Sequence, residues 1–395
     1  MTAPVAIPAG LLDTEDFCAH VRARPDALVY FLCNVGDADA QLILLPETGV
    51  PSKRQAIVVD VGRTEKVPSL LQDLESEGLL DLAVSDDAPI ALVVATHPHL
   101  DHIRGLPELL GRFGDLIAEY WDPGYFHVLD AYHRTMLEVE KRRALVYAQP
   151  TSGYRRWISD VAISVLAPSI QLRNRYDSYG IEVNDSSISL RIEFPVHRYL
   201  EERQATEQGG AVDAPPTRSL VLGADAQTTS WAYVVGDFPF LRGSETPAAK
   251  AIAAAQGDVD LLKADVLKIS HHGSKHGVNL ELVERIAPKV TLISSVGGGG
   301  QFNFPHGVAQ DLIREAIDAT TKSGRAHPKD YERPMNIFYT CDTEEETDTE
   351  GETSNPLGTI GLVMSNDGCS MWRFEDEPAD DVDLSAARRW TRDIW

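Results

Sequence analysis

The sequence predicts a sheet-rich α/β fold with a functional site on loops at one edge of a sheet. Strand-like apolar runs outnumber helical segments, and the polar motifs follow the points where those runs end. Two runs, QAIVVDVG at 55–62 and PIALVVAT at 89–96, are continuous and rich in β-branched residues. Such runs are typical of strands that are buried on both faces. A cluster of histidines follows the second run directly.

The other elements are predicted in chain order from the same periodicities. A hairpin is expected over 27–45, because two apolar runs flank a Gly/Asp-rich turn at 36–39. Helices are expected at 67–83, whose leucines give an apolar face, and at 106–121. Further strands are predicted at 161–168, 187–196, 219–224, 231–237, 289–297, 335–342 and 358–366, with one more leading into the histidine pair at 271–272.

The composition is that of a globular protein with a strongly acidic balance. Of the 395 residues, 43% are hydrophobic and 24% charged, and 60 acidic against 36 basic residues give a formal charge of −24. A chain this acidic repels a long polyanion wherever its surface is not locally positive, which disfavours a broad nucleic-acid groove. A nuclease is still compatible with this charge, because bound metal ions supply positive charge inside an acidic pocket.

Several features predict a cytoplasmic protein. No apolar run approaches the roughly 18 residues that a membrane helix needs. The N-terminal segment lacks the basic region of a signal peptide. The four cysteines show no CxxC spacing, which favours free thiols in a reducing compartment.

The motif THPHLDHIRG carries the strongest chemical signal. It places His97, His99, Asp101 and His102 directly after a predicted buried strand. Imidazole and carboxylate ligands suit zinc, manganese or iron. Alternate residues of an extended segment share a face, so the two histidines of HPH turn the same way. Only 12 histidines occur in the chain, and three within six positions are unlikely as a chance surface cluster.

HPHLDH resembles the HxHxDH signature of the metallo-β-lactamase superfamily. The surrounding motifs resemble more narrowly the hydrolase domain of the ComEC-like DNA-uptake competence proteins. These motifs are NVGDADAQLI with Asp39, VVDVG with Asp60, NDSSISL with Asn184, VVGD with Asp237, HHGS with His271 and His272, and a closing loop with Asn303 and His306. The matching motifs span roughly residues 29–364, which is nearly the whole chain.

The resemblance implies a fold and a domain organisation. The expected fold is the αββα sandwich, with two mixed β-sheets flanked by helices. A single hydrolase domain is expected over 1–374, with polar insertions near 198–218 and 342–356 that are expected to be solvated loops. An acidic C-terminal tail is expected over 375–395.

The resemblance also implies a site for two divalent metal ions, zinc or manganese. Asp237 is expected to bridge the two ions, and Asp60 to orient a ligand histidine, while Lys268 is expected to be solvated. The implied metal ligands are His97, His99, Asp101, His102, Asp185, Asp237 and His272. The implied catalytic residues are Asp101, His271 and His306, and the implied substrate contacts are Asn303 and His306. The choice between His271 and His272 as ligand, and between Asn184 and Asp185, stays open.

The implied activity is metal-dependent hydrolysis by a hydroxide that bridges the two ions, most directly of a phosphodiester. Short or single-stranded DNA is the expected substrate, and the acidic charge favours a short one. Two alternatives remain at this stage. One is a hydrolase of small esters or phosphoesters, and the other is a metallohydrolase-fold subunit that docks a protein partner through its acidic loops.

Overall fold

The computed structural model describes ten stretches of the chain. They are residues 7–49, 53–83, 88–173, 182–195, 217–238, 262–298, 302–322, 337–348, 351–365 and 368–395. The predicted insertion near 198–218 falls almost entirely outside these residues. No helix in the described stretches is both long and apolar enough to cross a bilayer.

Twenty strands and nine helices form the described structure. The strands are β1 (Ile7–Pro8), β2 (Leu12–Thr14), β3 (Leu28–Leu32), β4 (Ala40–Leu44), β5 (Ala56–Val61), β6 (Ile90–Val94), β7 (Ile117–Trp121), β8 (Val146–Ala148), β9 (Arg155–Ile158), β10 (Val161–Ala167), β11 (Ser189–Phe194), β12 (Arg218–Leu222), β13 (Val266–Lys268), β14 (Val290–Ile293), β15 (Ile337–Tyr339), β16 (Thr343–Asp348), β17 (Gly351–Pro356), β18 (Ile360–Met364), β19 (Cys369–Arg373) and β20 (Arg388–Trp390). The helices are α1 (Phe17–Arg22), α2 (Lys66–Ser76), α3 (Leu100–Ile103), α4 (Leu106–Phe113), α5 (Asp130–Lys141), α6 (Ile170–Arg173), α7 (Thr228–Asp237), α8 (Leu280–Ile286) and α9 (Gly307–Lys322).

Two large mixed sheets face each other. The first has ten strands in the order β2-β20-β19-β18-β3-β4-β5-β6-β7-β8, and the second has seven in the order β15-β14-β13-β12-β11-β10-β9. A small third sheet joins β1, β16 and β17. In the first sheet β5, β6, β7 and β8 run parallel, so their carboxyl ends meet at one edge.

Alternating side chains divide the interior into three layers. On β3, Tyr30 packs into the core between the sheets, whereas Phe31 packs under the helices of the first sheet. A third core lies between the second sheet and α7, α8 and α9. This arrangement confirms the predicted αββα sandwich and explains why strands such as β6 are apolar at every position.

Three predicted elements have a different conformation. The segment 106–121 is α-helical only to Phe113; a 3-10 turn follows at Gly114–Leu116, and IAEYW then forms β7. WAYVVGD belongs to helix α7 rather than to a strand, because Trp231 and Val234, three positions apart, turn to the third core. The acidic tract of the second insertion forms the hairpin β16–β17 rather than a loop.

The segment 375–395 is part of the folded domain and not a tail. Strand β20 pairs with both β2 and β19 in the large sheet. Arg388 of this strand forms ion pairs with Glu344 and with Glu375 of the same segment. Asp376, a second acidic residue of the segment, pairs with the buried Lys66. Part of the acidic composition that predicted a tail therefore provides partners for basic residues of the fold.

Candidate metal centre

Five of the seven predicted metal ligands lie at one end of the sandwich, where strands of both sheets stop. His97 and His99 follow β6, and Asp101 and His102 lie on the short helix α3. Asp225 follows β12, and His271 and His272 follow β13 in the opposite sheet. The site therefore forms between the two sheets and holds side chains from each.

Asp60 orients the ligand histidine His102 through a hydrogen bond, as predicted. Its carboxylate lies 2.7 Å from His102 Nδ1 and accepts hydrogen bonds from the Thr96 amide at 2.8 Å and hydroxyl at 2.7 Å. The contact keeps the proton on Nδ1 and leaves Nε2 free as a ligand atom. Asp60 adopts a positive φ of 59°, which the surrounding bonds must hold.

The carboxylate of Asp225 separates two groups of ligand nitrogens. Its Oδ1 lies 3.4 Å from His102 Nε2 and 3.8 Å from His272 Nε2. Its Oδ2 lies 3.8 Å from His97 Nε2 and 3.7 Å from His271 Nε2. One carboxylate thus presents each oxygen to a different set of imidazoles, which is the arrangement of a bridging ligand.

The remaining motif residues extend the two groups. His99 Nδ1 lies 3.1 Å from His97 Nε2, on the Oδ2 side. Asp101 Oδ2 lies 3.8 Å from both His102 Nε2 and His272 Nε2, on the Oδ1 side. Burial lowers the pKa of His97 well below its usual range, so its imidazole is neutral, as a metal ligand must be.

Unpartnered polar atoms show that the centre fits a cation. His102 Nε2, His272 Nε2, Asp225 Oδ1 and Asp39 Oδ1 are buried without a hydrogen-bond partner in the described structure. These four residues each offer a ligand atom within 4.8 Å of the others. Leaving such groups unpaired costs on the order of 1–3 kcal/mol each, and a bound divalent ion would satisfy them together.

The two neighbouring histidines of HHGS take different positions because the backbone turns sharply there. His271 and His272 have φ values of 50° and 52°, and Gly273 follows at 77°. His272 Nδ1 donates to the Ser294 carbonyl at 3.0 Å, which points Nε2 at the Oδ1 group. Left-handed conformations cost on the order of 1–3 kcal/mol for such residues and concentrate at functional sites.

Residues 50–162, which include HPHLDH, match the metallo-beta-lactamase superfamily. This match covers less than a third of the chain and includes the histidine motif of the centre. The match supports a metal-dependent hydrolase, and the metallo-β-lactamase fold implies binding of divalent metal.

A curated relative agrees with the ComEC-like resemblance. ComE operon protein 3 of Bacillus subtilis is 33% identical over 93 residues, which are 22% of this chain and 12% of the relative. The match therefore spans only a small part of that protein's length.

Solved structures of the superfamily resemble this chain at low identity. The metallo-beta-lactamase fold protein YhfI from Bacillus subtilis is 13% identical, covers 74% of this chain and 92% of its own, and has a TM-score of 0.35. A long form of RNase Z from yeast is 11% identical, covers 69% of this chain and 38% of its own, and has a TM-score of 0.34.

Two predicted ligands lie outside the cluster that Asp225 forms with the histidines. The Asp185 carboxylate accepts a hydrogen bond from the Ser230 amide at 3.1 Å and so caps helix α7. Asp237 is an exposed residue at the other end of that helix, roughly 15 Å along its axis. Asp225, which the motif analysis missed, has the position predicted for Asp237. Asn184, the open alternative to Asp185, has a buried Oδ1 without a partner in the described residues.

The closing loop lies beside the histidine pair. Phe304 packs between His271, His272 and His306, with ring centroids 5.2 to 5.7 Å apart. His306 Nδ1 accepts a hydrogen bond from the Lys275 amide at 3.0 Å, so the neutral ring carries its proton on Nε2. Asn303 is exposed, with a φ of 57°.

Lys268 has surroundings that differ from those predicted, and His127 lies near the centre although no motif marks it. The Lys268 side chain is fully buried and forms an ion pair with Asp39, rather than being solvated. His127, which no motif marked, lies on the loop after β7, with its ring 6.3 Å from that of His99. Sequence periodicity carries no signal for either contact, because each joins segments far apart in the chain.

We expect Asp60→Asn to weaken metal binding by about 10- to 100-fold, because the amide cannot hold His102 in the same tautomer. Titration against a chromogenic chelator at neutral pH measures this affinity. A variant that keeps wild-type affinity would show that Asp60 does not orient the ligand.

We expect Asp122→Asn to stabilise the protein in a pH-dependent way. Burial raises the pKa of Asp122 to about 6 from 3.8, so the folded state prefers the protonated acid. Wild-type stability therefore falls as the pH rises from about 4 to about 6, and the variant avoids this loss. Urea unfolding should show a gain of up to about 3 kcal/mol at pH 7 and little near pH 4. An equal gain at both pH values would contradict this cause.

Proposed function

We propose that this chain is a dinuclear metal-dependent phosphodiesterase of the nuclease type. The observation that carries the proposal is the Asp225 carboxylate, whose two oxygens face two separate sets of histidines. Zinc and manganese both suit this set of nitrogen and oxygen donors.

The residues divide between the two ions according to the oxygen they face. His97, His99 and His271 would hold one ion with Asp225 Oδ2. Asp101, His102 and His272 would hold the other with Oδ1. His271 thereby changes from the predicted catalytic donor to a third nitrogen ligand, since its distance to Asp225 matches that of His97.

When bound by these residues, the ions would supply Lewis-acid activation of water and would neutralise charge on the substrate. His306 carries its proton on Nε2 and is proposed to donate it as a hydrogen bond to a phosphoryl oxygen. Asn303, exposed on the same closing loop, is proposed to contact the substrate from the solvent side.

The phosphodiester class rests on the ComEC-like motifs, and short or single-stranded DNA is the proposed substrate. The test is hydrolysis of bis-p-nitrophenyl phosphate and of labelled single-stranded DNA with Mn²⁺ or Zn²⁺, and with Asp101→Ala as the control. Metal-dependent cleavage of both, lost in the variant, supports the proposal. Cleavage of the small ester alone indicates a small-molecule hydrolase. If neither is cut by protein that holds about two ions per chain, the phosphodiester assignment is wrong, and an ester substrate or a protein partner comes next.

A further inference from the structure

One segment of this acidic chain is basic. Residues 141–176 contain seven lysines or arginines and one acidic residue, whereas the whole chain has 36 basic and 60 acidic residues. The described part of this segment forms β8, β9, β10 and α6 at the open side of the sandwich, where both large sheets end. Carboxylates outside the segment pair with Lys141, Arg142 and Arg156. Arg143, Arg155 and Arg173 form no ion pair in the described structure, and these cations would attract a polyanion locally.

Arg155 and Trp157 form an exposed pair on the edge strand β9. The Arg155 guanidinium lies over the Trp157 ring, 5.9 Å from its centroid, and Trp157 is 51% exposed. Arg155 Nε donates to Ser164 Oγ at 3.0 Å, and the described residues give this arginine no carboxylate partner. A positioned cation beside an open aromatic face suits a phosphate followed by a base.

Arg173, on α6 of the same segment, lies near the loops that follow β7 and β8. It donates to the backbone carbonyl of Gln149 at 2.8 Å and forms no ion pair in the described structure. It also lies against the loop after β7, since a Cβ added to Gly124 would come within 2.7 Å of its Nη2. The same loop carries His127, whose ring lies 6.3 Å from His99.

The strand directions place these residues at the end of the sandwich that holds the metal ligands. Strands β6, β7 and β8 are parallel neighbours. The loops after them therefore leave one edge side by side, and they carry His97, His127 and Gln149 in that order. The basic segment thus lies beside these loops, and the segment and the loops together form a rim around the metal centre.

We propose that this rim is a binding surface for single-stranded polynucleotide. The strand would run from the metal centre past His127 and Arg173 to the Arg155–Trp157 pair. The arginines would bind phosphates, and Trp157 would stack on a base. The inference rests on the proposed phosphodiesterase function and extends it, because it requires a polymer that reaches beyond the scissile bond.

The test compares a polymer with a small substrate. Arg155→Gln and Arg173→Gln, combined, are expected to raise KM for a labelled 20-nucleotide single strand about tenfold. The double variant should also reduce the dependence of log KM on log salt by about 1 to 2. The kcat/KM for bis-p-nitrophenyl phosphate should stay within twofold of wild type. Arg22→Gln, which removes an exposed cation elsewhere, is the matched control and should leave all three values unchanged.

Trp157→Ala separates stacking from charge. It is expected to raise the oligonucleotide KM about fivefold while leaving the salt dependence as in wild type. An oligonucleotide KM that is unchanged in all these variants would overturn the proposal and leave the edge for another partner, such as a protein. An equal loss on both substrates would also overturn it, since that indicates a structural defect.

A binding measurement keeps this inference distinct from the proposed function. Fluorescence anisotropy with Asp101→Ala protein reports strand binding without cleavage. If the wild type cleaves neither substrate but the arginine changes still weaken binding about tenfold, the surface stands and the phosphodiesterase assignment fails. If binding is unaffected by the arginine changes, the surface fails whatever the activity.

Discussion

Replacing Asp225 with Ala is expected to lower kcat/KM for a phosphodiester by roughly 1,000-fold or more, equivalent to about 4 kcal/mol of transition-state stabilisation. The reason is that this side chain faces both sets of histidines, so its loss affects both ions. Bound metal should fall below two ions per chain. Steady-state kinetics and metal analysis of the purified protein measure the two effects.

Asp237→Ala is the matched control for this prediction. Both changes remove an aspartate near helix α7, but Asp237 is exposed at the far end of that helix. We expect it to keep wild-type metal content and activity within twofold. Loss of activity in Asp237→Ala with full activity in Asp225→Ala would reverse the assignment of the bridging carboxylate.

The motifs placed the bridging role at Asp237, whereas Asp225 lies among the histidines, and this difference has a physical reason. WAYVVGD is rich in β-branched and aromatic residues, which favour a strand, and it ends in an aspartate as the motif requires. Tertiary contacts override that preference, since Asp185 caps the segment and Trp231 and Val234 pack into the core as helical neighbours. Asp225 directly follows the predicted strand 219–224, so the strand-end signal was present there as well.

Local patterns were sufficient where the chemistry is contiguous. HPHLDH and HHGS each fix several side chains within one turn, and the structure brings both motifs together at one end of the sheets. Local patterns were insufficient where a charged residue has its partner far away in the sequence. The acidic tract predicts a loop because its carboxylates favour water, yet Glu344 is buried against Arg388, which lies 44 positions later.

Replacing Lys268 with Met is expected to lower the free energy of unfolding by about 3–5 kcal/mol. Lys268 lies on β13 of the second sheet and Asp39 directly precedes β4 of the first, so their ion pair joins the two sheets at the metal centre. Both side chains are fully buried. Removing the ammonium leaves the Asp39 carboxylate buried without its counter-ion, and this desolvated charge is the main cost. Urea unfolding in excess chelator isolates the effect from metal binding.

The double variant Asp39→Asn with Lys268→Met tests whether the cost comes from the orphaned charge. With both charges removed, the buried groups are neutral, and we expect the double variant to be more stable than Lys268→Met alone. If the two variants unfold at the same urea concentration, the charge of Asp39 is not what destabilises the single variant. Asp39 Oδ1 is a further candidate ligand atom beside Asp225, His102 and His272. Excess metal should therefore restore the stability of Lys268→Met more than that of the double variant, which lacks this carboxylate.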